Sequence, residues 1–443
     1  MKRLVVPLAL ALIGSLAFAQ LRMWTTQVQP ERMEVQESIA AQFEAQTGTS
    51  IEVIPVEESE LATRITAAFS AGDLPDLIYH PVSQTIGWAE AGILDVTAAS
   101  EVIDALGEST FAQGLLRLNA TPDGYAAVPS DGWTQLLVYR ADLFEEAGLA
   151  PPTTYEAIEA AVEALHDPPN TFGFVAATDV DNDYTMQVIE HLFLANGVQL
   201  VNDDGSIALD AEKTANALEF YKTLADASPE GNLYWQQSRE LYFDGRAAMI
   251  VWSPFILDEM AGLRDAAPVT IGDDPTSREL AAATGIVTNL AGPDHPEGAG
   301  WASLSNWGIT VDADTQAAQA FVEWILDGDA YLEWLSMAPE GLFPVRNGTA
   351  DAPTAFVDGW GDLDVGVDRR ASLGELYGED VVNDIVAGLD VADRWAYTQG
   401  EGALLSRLYG TRVMAELVRS YLDGEATVEE TVERLQSRVS ALQ

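Results

Sequence analysis

The chain has 443 residues, with 70 acidic residues against 22 lysines and arginines and a formal net charge of −48. A field of this sign repels nucleic acids and anionic lipid headgroups, which argues against both as partners. The sequence contains no cysteine, so disulfides cannot stabilise it, and its apolar content is ample for a large core of two or three domains.

The chain opens with the pattern of a secretory signal peptide. Lys2 and Arg3 precede an apolar run at 4–18, and residues 17–19 form a small-x-small cleavage site. The apolar run of roughly 15 residues falls short of the ~20 needed to span a bilayer. We therefore expect residues 1–19 to be removed and the product to be exported. Because no cysteine follows to carry a lipid, we expect a free periplasmic protein rather than a lipoprotein, with full secretion into the medium as the alternative.

The next segment alternates strands and helices. Strands are predicted at 21–25, 51–56 and 77–79, and they are separated by helices at about 31–46 and 60–70. A glycine follows each helix, as suits a helix C-terminus. This β-α-β-α-β order is typical of an α/β domain whose ligands bind beyond the ends of its strands.

A second α/β unit begins after Pro129. Its strands are predicted at 136–139, 172–176 and 247–251. Helices occupy most of the chain between those strands, at 141–147, 155–165, 183–196 and 211–227. The segment 270–289 is rich in Gly, Pro, Asp and Thr and is predicted to be a loop.

The chain then returns to the strand–helix pattern of the first unit, with a strand at 309–311 and a helix at 315–326. The tail from about residue 371 is predicted to be nearly all helical, broken at Gly400, Gly410 and Gly424. A chain that visits two α/β units alternately leaves several hinge strands between them.

Six segments, taken in order, resemble bacterial extracellular solute-binding proteins of the maltose-binding class. They are FEAQTGTSIEV at 43–53, AGDLPDLI at 71–78, WAEAGIL at 88–94, GYAAVP at 124–129, YFDGRAAM at 242–249 and PEGLFPVR at 339–346. No one of these motifs is decisive alone. Their joint order and spacing, together with the predicted signal peptide, carry the resemblance across the chain.

The resemblance implies the two-lobed, periplasmic-binding-protein-like fold of type II, in which two α/β domains are joined by hinge crossings. We assign 20–130 and 290–340 to an N-terminal lobe, and 131–289 and 341–443 to a C-terminal lobe with a helical tail. It also implies a monomeric binding protein, not an enzyme. Such a protein closes on a sugar or oligosaccharide between its lobes and delivers it to the membrane permease of an ABC importer.

A sugar presents an apolar face of C–H groups and a rim of hydroxyls, so its site needs aromatic platforms with polar side chains around them. Trp133 lies outside any helical pattern at the first crossing, and the neighbouring Asp131 would accept hydroxyl hydrogens. The resemblance places cleft aromatics after the strand 247–251, where Trp252 and Phe255 are found.

The other candidate ligand contacts lie at predicted strand ends and in loops, and core packing or a turn is the alternative role for each. His80 is of interest because a neutral histidine both donates and accepts hydrogen bonds. In contrast, Trp324 and Trp334 follow helical spacing and are predicted to lie in the core. The remaining candidates are Gln27, Tyr79, Gln84, Tyr234, Trp235, Asn306, Trp307, Arg346 and Trp395.

Other functions stay open at this point. A glycoside hydrolase needs only two carboxylates a few ångströms apart, and 70 acidic residues do not exclude such a pair. An aromatic, acid-rich site is also compatible with a cationic solute of the betaine or polyamine type. A phosphorylated or sulfonated sugar would need clustered basic residues, of which the chain has few.

No catalytic residue, metal site or cofactor is predicted. The four histidines, His80, His166, His191 and His295, share no metal-ligand spacing, and no cysteine could assist them. The sequence also has neither a Gly-x-Ser-x-Gly elbow nor a glycine-rich phosphate loop.

Overall fold

A computed structural model describes residues 20–443, so the predicted signal peptide at 1–19 lies outside the described residues. Between residues 20 and 443, no helix combines the length and the apolar character needed to cross a membrane. The strands are β1 Gln20–Thr25, β2 Ser50–Pro55, β3 Leu77–Pro81, β4 Ala120–Thr121, β5 Gly124–Tyr125, β6 Val128–Thr134, β7 Leu136–Arg140, β8 Met249–Trp252, β9 Thr284–Val287, β10 Leu290–Gly292, β11 His295–Ile309, β12 Phe343–Pro344, β13 Asp364–Val365, β14 Ala371–Ser372 and β15 Ala392–Asp393.

Helices cover most of the chain between the strands. Two short 3-10 turns, Val82–Gln84 and Glu108–Thr110, accompany them. The α-helices are α1 Pro30–Thr47, α2 Glu58–Ala71, α3 Thr85–Glu90, α4 Val96–Leu106, α5 Gln113–Asn119, α6 Ala141–Ala147, α7 Tyr155–Leu165, α8 Asp183–Ala195, α9 Ala211–Asp226, α10 Trp235–Phe243, α11 Ile256–Glu259, α12 Glu279–Ala282, α13 Thr315–Ile325, α14 Gly328–Leu335, α15 Ala355–Gly361, α16 Leu373–Tyr377, α17 Glu379–Ala387, α18 Gly402–Thr411, α19 Val413–Leu422 and α20 Val428–Ser440.

The first helix shows how local sequence sets these bounds. Pro30 at the first position of α1 has the fixed φ that a helix start needs. Ile39 and Phe43, one turn apart, are buried against the core. Gly48 then ends the helix in the left-handed region at φ 81°, which glycine adopts without steric cost.

The large sheet has the order β12-β6-β11-β3-β1-β2, with β10 and β15 also paired to β11. Strands β1, β2 and β3 are parallel, whereas β11 runs antiparallel to both β3 and β6. Strand β6 therefore runs in the same direction as β1 and β3, and the carboxyl ends of these three strands meet at one edge. We call the body around this sheet the first lobe. The end of the sheet at which these carboxyl ends meet is called the cleft edge.

The smaller sheet has the order β8-β7-β9, and β7 is antiparallel to both neighbours. We call the body around it the second lobe. Gln135 is the single residue between β6 of the first lobe and β7 of the second, and its backbone N–H donates to the carbonyl oxygen of Trp301 on β11 at 3.0 Å. The chain thus changes lobes while keeping its backbone hydrogen bonds.

The strand pairing corrects the predicted lobe boundaries at two places. Residues 131–134 and 343–344, assigned from the sequence to the C-terminal lobe, pair within the large sheet. The pairing of β6 with β11 and β12 holds these segments in the first lobe, so the crossing lies at Gln135. The rest of the predicted lobe division stays a prediction.

Three predicted elements also differ from the structure. Residues 172–176 form only isolated bridges at Phe172 and Val175 rather than a strand. The predicted loop 270–289 contains α12 and the sheet strand β9. Gly410 lies inside α18, which ends at Thr411 and is capped by Arg412 with a left-handed φ of 58°.

The C-terminal tail is anchored by a buried carboxylate. Glu190 on α8 is fully buried and accepts hydrogen bonds from the Arg394 guanidinium at 2.9 Å, the Trp395 backbone N–H at 2.8 Å and the Tyr409 hydroxyl at 2.5 Å. Helices α19 and α20 pack on α8 and α9 of the second lobe, while α18 also contacts α3 of the first. A charge that is buried with this many partners is costly to disturb.

We predict that two buried histidines make the fold less stable in acid. Burial lowers the pKa of His80 to about 4 and the pKa of His191 to about 3. In the unfolded chain both titrate near pH 6.5, so the unfolded state binds more protons below that pH and the free energy of unfolding falls as the pH falls. In urea titrations between pH 6 and 4.5, His191→Gln should reduce this slope by up to ~1.4 kcal/mol per pH unit.

His80 provides a second measurement, because it is also fully buried and its pKa is also lowered by burial. His80→Gln should reduce the pH slope of the unfolding free energy in the same direction. An unchanged slope in His191→Gln would mean that His191 takes up its proton in the folded state, contrary to the burial argument.

Candidate functional site

A cavity of about 390 Å³ opens beside Gln135, where the chain passes between the lobes. Its aromatic wall consists of Trp133, Tyr184, Trp235, Trp252 and Phe255. The polar groups of its lining are Gln135, Asn182, Gln187, Arg239, Ser253 and Glu259. We call this cavity the cleft pocket.

The aromatic rings of the cleft pocket support one another. The ring centroid of Trp252 lies 5.5 Å from that of Trp235 and 5.7 Å from that of Tyr184. Behind the pocket, Trp133 packs on Trp301 at 5.0 Å. Trp235 and Phe255 each keep 38 % of their surface exposed, so large apolar faces remain open toward the cavity and solvent.

Local sequence places each wall of the pocket. Trp252 is the last residue of β8, and the turn that follows brings Phe255 to the same wall. On the opposite side Asn182 caps α8, accepting a hydrogen bond from the Tyr184 backbone N–H at 3.0 Å. The Tyr184 hydroxyl donates to the Val251 carbonyl oxygen at 2.6 Å, which ties α8 to β8.

The charged groups of the pocket balance each other. The Arg239 guanidinium donates to Glu259 at 2.8 Å and lies 5.3 Å from the ring centroid of Trp235. Burial raises the pKa of Glu259, while Arg239 and Arg264 oppose this rise. The pair brings one positive and one negative charge to the pocket wall, so the two cancel.

Two buried polar atoms of the pocket residues have no hydrogen-bond partner within residues 20–443. They are the indole Nε1 of Trp252, a donor, and the Oε2 of Glu259, an acceptor. Buried polar groups are almost always paired, because leaving one unpaired costs free energy. Both atoms are shielded from solvent, so they lie within the pocket wall rather than on its open surface.

Four of the residues proposed from the sequence meet in this pocket: Trp133, Trp235, Trp252 and Phe255. Tyr234 packs edge-on against Trp235, with ring centroids 5.7 Å apart, and so supports the wall from behind. Their contact with a ligand stays a prediction, but the structure does bring them together.

Two further candidates lie on the first lobe. Gln27 follows β1 and Gln84 follows β3, so both are found at the cleft edge. Trp133 lies at the same edge, because it pairs with Ser303 two positions beyond the Ser305–Pro81 pair that ends β3. These residues face the second lobe from the end of the sheet where α/β proteins bind ligands.

Several other candidates lie in the core of the structure rather than in the cleft pocket. Trp307 and Asn306 lie on β11, which is covered on both sides by β3 and β6, and both are fully buried. Asn306 donates to Thr85 at 2.9 Å within a buried polar cluster. His80 is likewise fully buried, and its Nδ1 lies 3.0 Å from the Pro81 carbonyl oxygen.

The tail candidates also have structural roles. Trp395 is fully buried, and its indole donates to the Val198 carbonyl oxygen at 2.8 Å. Arg346 is 2 % exposed and donates to the Leu106 carbonyl oxygen at 3.0 Å. Arg346 also donates to the Thr110 hydroxyl at 3.1 Å, and neither side chain lines the cleft pocket.

Tyr79 and Asp131 are buried as well, in contact with each other rather than with the pocket. The Tyr79 hydroxyl donates to the Asp131 carboxylate at 2.9 Å, and the Trp334 indole donates to it at 3.0 Å. As predicted, Trp334 is a core residue, whereas Trp324 is half-buried and donates to Gln46 at 3.0 Å.

Sequence reasoning missed most of the polar lining. Asn182 could have been found from its place before a helix, where asparagine is a favoured cap. Arg239 and Trp235 are four residues apart on α10, a spacing that puts both on one helix face. Glu259 carried no local signal, because only the fold brings α11 to the pocket.

Comparison with known proteins finds similarity along nearly the whole chain. The sequence model of the family described as bacterial extracellular solute-binding protein matches residues 38–360. YcjN of Escherichia coli strain K12, named as an ABC transporter periplasmic-binding protein, is 26% identical over 424 residues, which is 94% of this chain and 90% of that protein.

Solved structures share the fold at low sequence identity. The cyclic α-maltosyl-1,6-maltose binding protein of Arthrobacter globiformis matches with a TM-score of 0.72 at 18% identity, over 96% of this chain and 99% of that chain. The GacH receptor of Streptomyces glaucescens matches with a TM-score of 0.66 at 16% identity, over 96% and 98%. These likenesses confirm the predicted fold class, two α/β lobes of the type II periplasmic-binding-protein kind.

We predict that the Arg239–Glu259 pair is needed to keep the pocket wall stable. Their side chains are 14 % and 10 % exposed, so Arg239→Met would leave a nearly buried carboxylate without its partner. Loss of one partner of a buried pair costs ~3 kcal/mol, which urea unfolding would measure. The double variant Arg239→Met with Glu259→Gln should recover most of this loss.

The exposed pair Arg64–Glu60, at 52 % and 54 % exposure, is the matched control. Arg64→Met should cost less than ~1 kcal/mol, since solvent screens an exposed ion pair. Equal costs for Arg64→Met and Arg239→Met would show that the pocket pair is not a stabilising element.

Proposed function

The chain belongs to the bacterial extracellular solute-binding proteins, as its motifs predicted, and from this membership we propose that it binds a neutral sugar or oligosaccharide in the cleft pocket. The family consists of substrate-binding transport proteins rather than enzymes. We further propose that this member is a free, monomeric periplasmic protein that delivers its sugar to the membrane permease of an ABC importer.

The observation that carries the proposal is the combination of open aromatic faces and balanced charge in one pocket. Trp235 and Phe255 expose flat apolar surfaces, which suit the C–H face of a pyranose ring. The side chains of Asn182, Gln187 and Ser253 line the same pocket and provide donors and acceptors for its hydroxyls. The structural neighbour named as a cyclic α-maltosyl-1,6-maltose binding protein points to the same class of ligand.

The same geometry weighs against a cationic solute. An aromatic cage for a quaternary or polyamine cation needs uncompensated negative charge beside open ring faces. Here the guanidinium of Arg239 already lies over Trp235 and pairs with Glu259. The neutral pair therefore offers a further cation no net electrostatic attraction at this wall.

A glycoside hydrolase is also disfavoured. Hydrolysis requires two carboxyl groups on either side of the scissile bond. Among the described residues that line the cleft pocket, Glu259 supplies the one carboxylate, and Arg239 holds it. We therefore propose that the sugar leaves the pocket chemically unchanged.

We propose that the ligand first stacks on the aromatic wall of the second lobe. The cleft edge of the first lobe, with Gln27 and Gln84, would then close over it and complete the hydrogen bonds. Closure is favoured only by contacts that the closed form makes and the open form lacks. Bending near Gln135 and the other strand crossings would carry this motion.

A ligand screen tests the proposed function. Maltose, maltotriose, laminaribiose and monosaccharides, with betaine and spermidine as cationic controls, would be added to the purified protein in a thermal-shift assay. A ligand that binds only the folded state raises the unfolding temperature, and at ~100 times its Kd it adds ~2.7 kcal/mol. We expect a sugar to give the largest rise, without release of reducing ends.

A rise with betaine or spermidine and none with any sugar would replace the proposed ligand class. New reducing ends after incubation with an oligosaccharide would contradict the assignment as a non-enzymatic binding protein.

We predict that Trp235→Ala weakens binding of the best sugar by ~1–2 kcal/mol in calorimetry, about the value of one lost aromatic stacking contact. Because Trp235 also packs against Trp252 and Tyr234, its removal should lower the unfolding temperature, so affinity is measured well below the unfolding temperature of the variant. Trp324→Ala is the control, since this half-buried tryptophan lies on α13, away from the pocket. Unaltered affinity in a folded Trp235→Ala variant would remove Trp235 from the site.

A further inference from the structure

Asp131 is the centre of a buried polar network in the first lobe. It is 2 % exposed and accepts hydrogen bonds from the Tyr79 hydroxyl at 2.9 Å and from the Trp334 indole at 3.0 Å. The rings of Tyr79 and Trp334, whose centroids are 5.0 Å apart, pack around the carboxylate. The core thus surrounds a carboxylate, and apolar packing alone does not account for its presence there.

The network continues from Tyr79 to the cleft edge. The Gln27 amide nitrogen Nε2 donates to the Tyr79 hydroxyl oxygen at 3.3 Å. The other end of the same amide, Oε1, accepts a hydrogen bond from the Arg32 guanidinium. Four side chains therefore form one path from the crossing strand β6 to the loop after β1.

The direction of every hydrogen bond along this path is fixed by chemistry. An ionised carboxylate only accepts, so the Tyr79 hydroxyl must donate its one hydrogen to Asp131. The Tyr79 oxygen is then left as an acceptor and requires Nε2 of Gln27. Arginine only donates, and it requires Oε1 at the other end. Both ends of the Gln27 amide thus favour the same orientation.

The backbone of Gln27 is held by other contacts. Its N–H donates to the Thr25 hydroxyl at 3.1 Å, and its carbonyl oxygen accepts from the Gln36 side chain at 2.8 Å. Loss of the Tyr79 hydroxyl would consequently leave the loop in place. It would release only the side-chain amide and the guanidinium that binds to it.

We propose that Asp131 is a positioning residue that acts through Tyr79 to fix the Gln27 amide and the Arg32 guanidinium at the cleft edge, where they serve as the hydrogen-bond donors of the first lobe toward the ligand. The ligand-binding part of this statement rests on the proposed function. The positioning part concerns the ligand-free protein and stands on the network itself.

Protonation of Asp131 offers a way to switch the network. Burial raises the pKa of Asp131 to about 6, while Trp334, Ser130, Tyr79 and Arg32 oppose the rise. Of the titratable and charged groups packed around it, Tyr79 lies on β3, Tyr331 on α14 and Arg32 on α1. A protonated carboxyl can donate to the Tyr79 oxygen, and the hydroxyl then no longer requires Nε2 of Gln27.

The first test uses the ligand-free protein and nuclear magnetic resonance of the glutamine side-chain amides. Gln27→Ala identifies the Gln27 signal, which should shift between pH 8 and 4.5 with a midpoint near pH 6. Tyr79→Phe should move the signal and remove its pH dependence, and Asp131→Asn should also abolish that dependence. A Gln27 signal that is flat with pH and unmoved by Tyr79→Phe would overturn the proposal, whatever the protein binds.

The second test measures the affinity for maltotriose by calorimetry. Tyr79→Phe and Gln27→Ala should each weaken binding by about 3–10-fold, the range of one net hydrogen bond. The double variant should bind no more weakly than Gln27→Ala, because Tyr79 acts through Gln27. Additive losses would overturn the ligand-binding part of the proposal.

Tyr331→Phe is the matched control. This buried tyrosine donates to the Ser130 carbonyl oxygen at 2.8 Å, next to Asp131, but lies outside the path to Gln27. Its loss should lower stability and leave the maltotriose affinity unchanged. If no sugar binds the unaltered chain, the proposed function fails, and the resonance experiment still decides whether the network positions Gln27.

Discussion

The arrangement depends on one constraint: the chain must pass between two sheets without leaving backbone groups unpaired. Strand β6 meets this demand by pairing with β11 and β12, and Gln135 continues it by donating to Trp301 before β7 begins. Successive residues of a strand point to opposite faces, so Asp131 and Trp133, two positions apart, lie on the same face of β6. Asp131 is buried within the sheet of the first lobe, whereas Trp133 lies nearer the end of the strand and reaches the pocket. One strand therefore provides both the core carboxylate and a residue of the aromatic wall.

The charges that line the cleft pocket bear more directly on the class of ligand than the net charge of the whole chain does. The net charge of −48 alone would favour a cationic ligand. At the cleft pocket, however, Arg239 neutralises Glu259 and covers part of Trp235. Exposed carboxylates elsewhere are screened within about a Debye length of ~8 Å in physiological salt, so they contribute little selectivity at this wall. The acidic surface and the neutral pocket are therefore separate features of the molecule.

The order of strands and helices was predictable because it rests on local periodicity and on glycines that end helices. The aromatic wall was also predictable in part, since Trp252 follows a strand and Trp133 fits no helical pattern. Trp307 and Trp395 were proposed on the same kind of sequence pattern as Trp133 and Trp252. Long-range strand pairing buries Trp307, and the contacts around Glu190 bury Trp395. Glu259 and Arg239 could not be placed from sequence, because their pairing requires two helices to meet in space. The sequence thus predicted the types of residue that line the pocket. Long-range contacts determined which individual residues lie there.

The anchored tail has a mechanical consequence. Tyr409 fastens α18 to α8 of the second lobe, and α18 also rests against α3 of the first. A rotation of one lobe relative to the other would therefore require α18 to slide across α3. Sliding between packed helices proceeds in small steps between rotamer arrangements and resists larger travel. The packing of the tail would thus resist lobe rotation and limit how far the two lobes can separate.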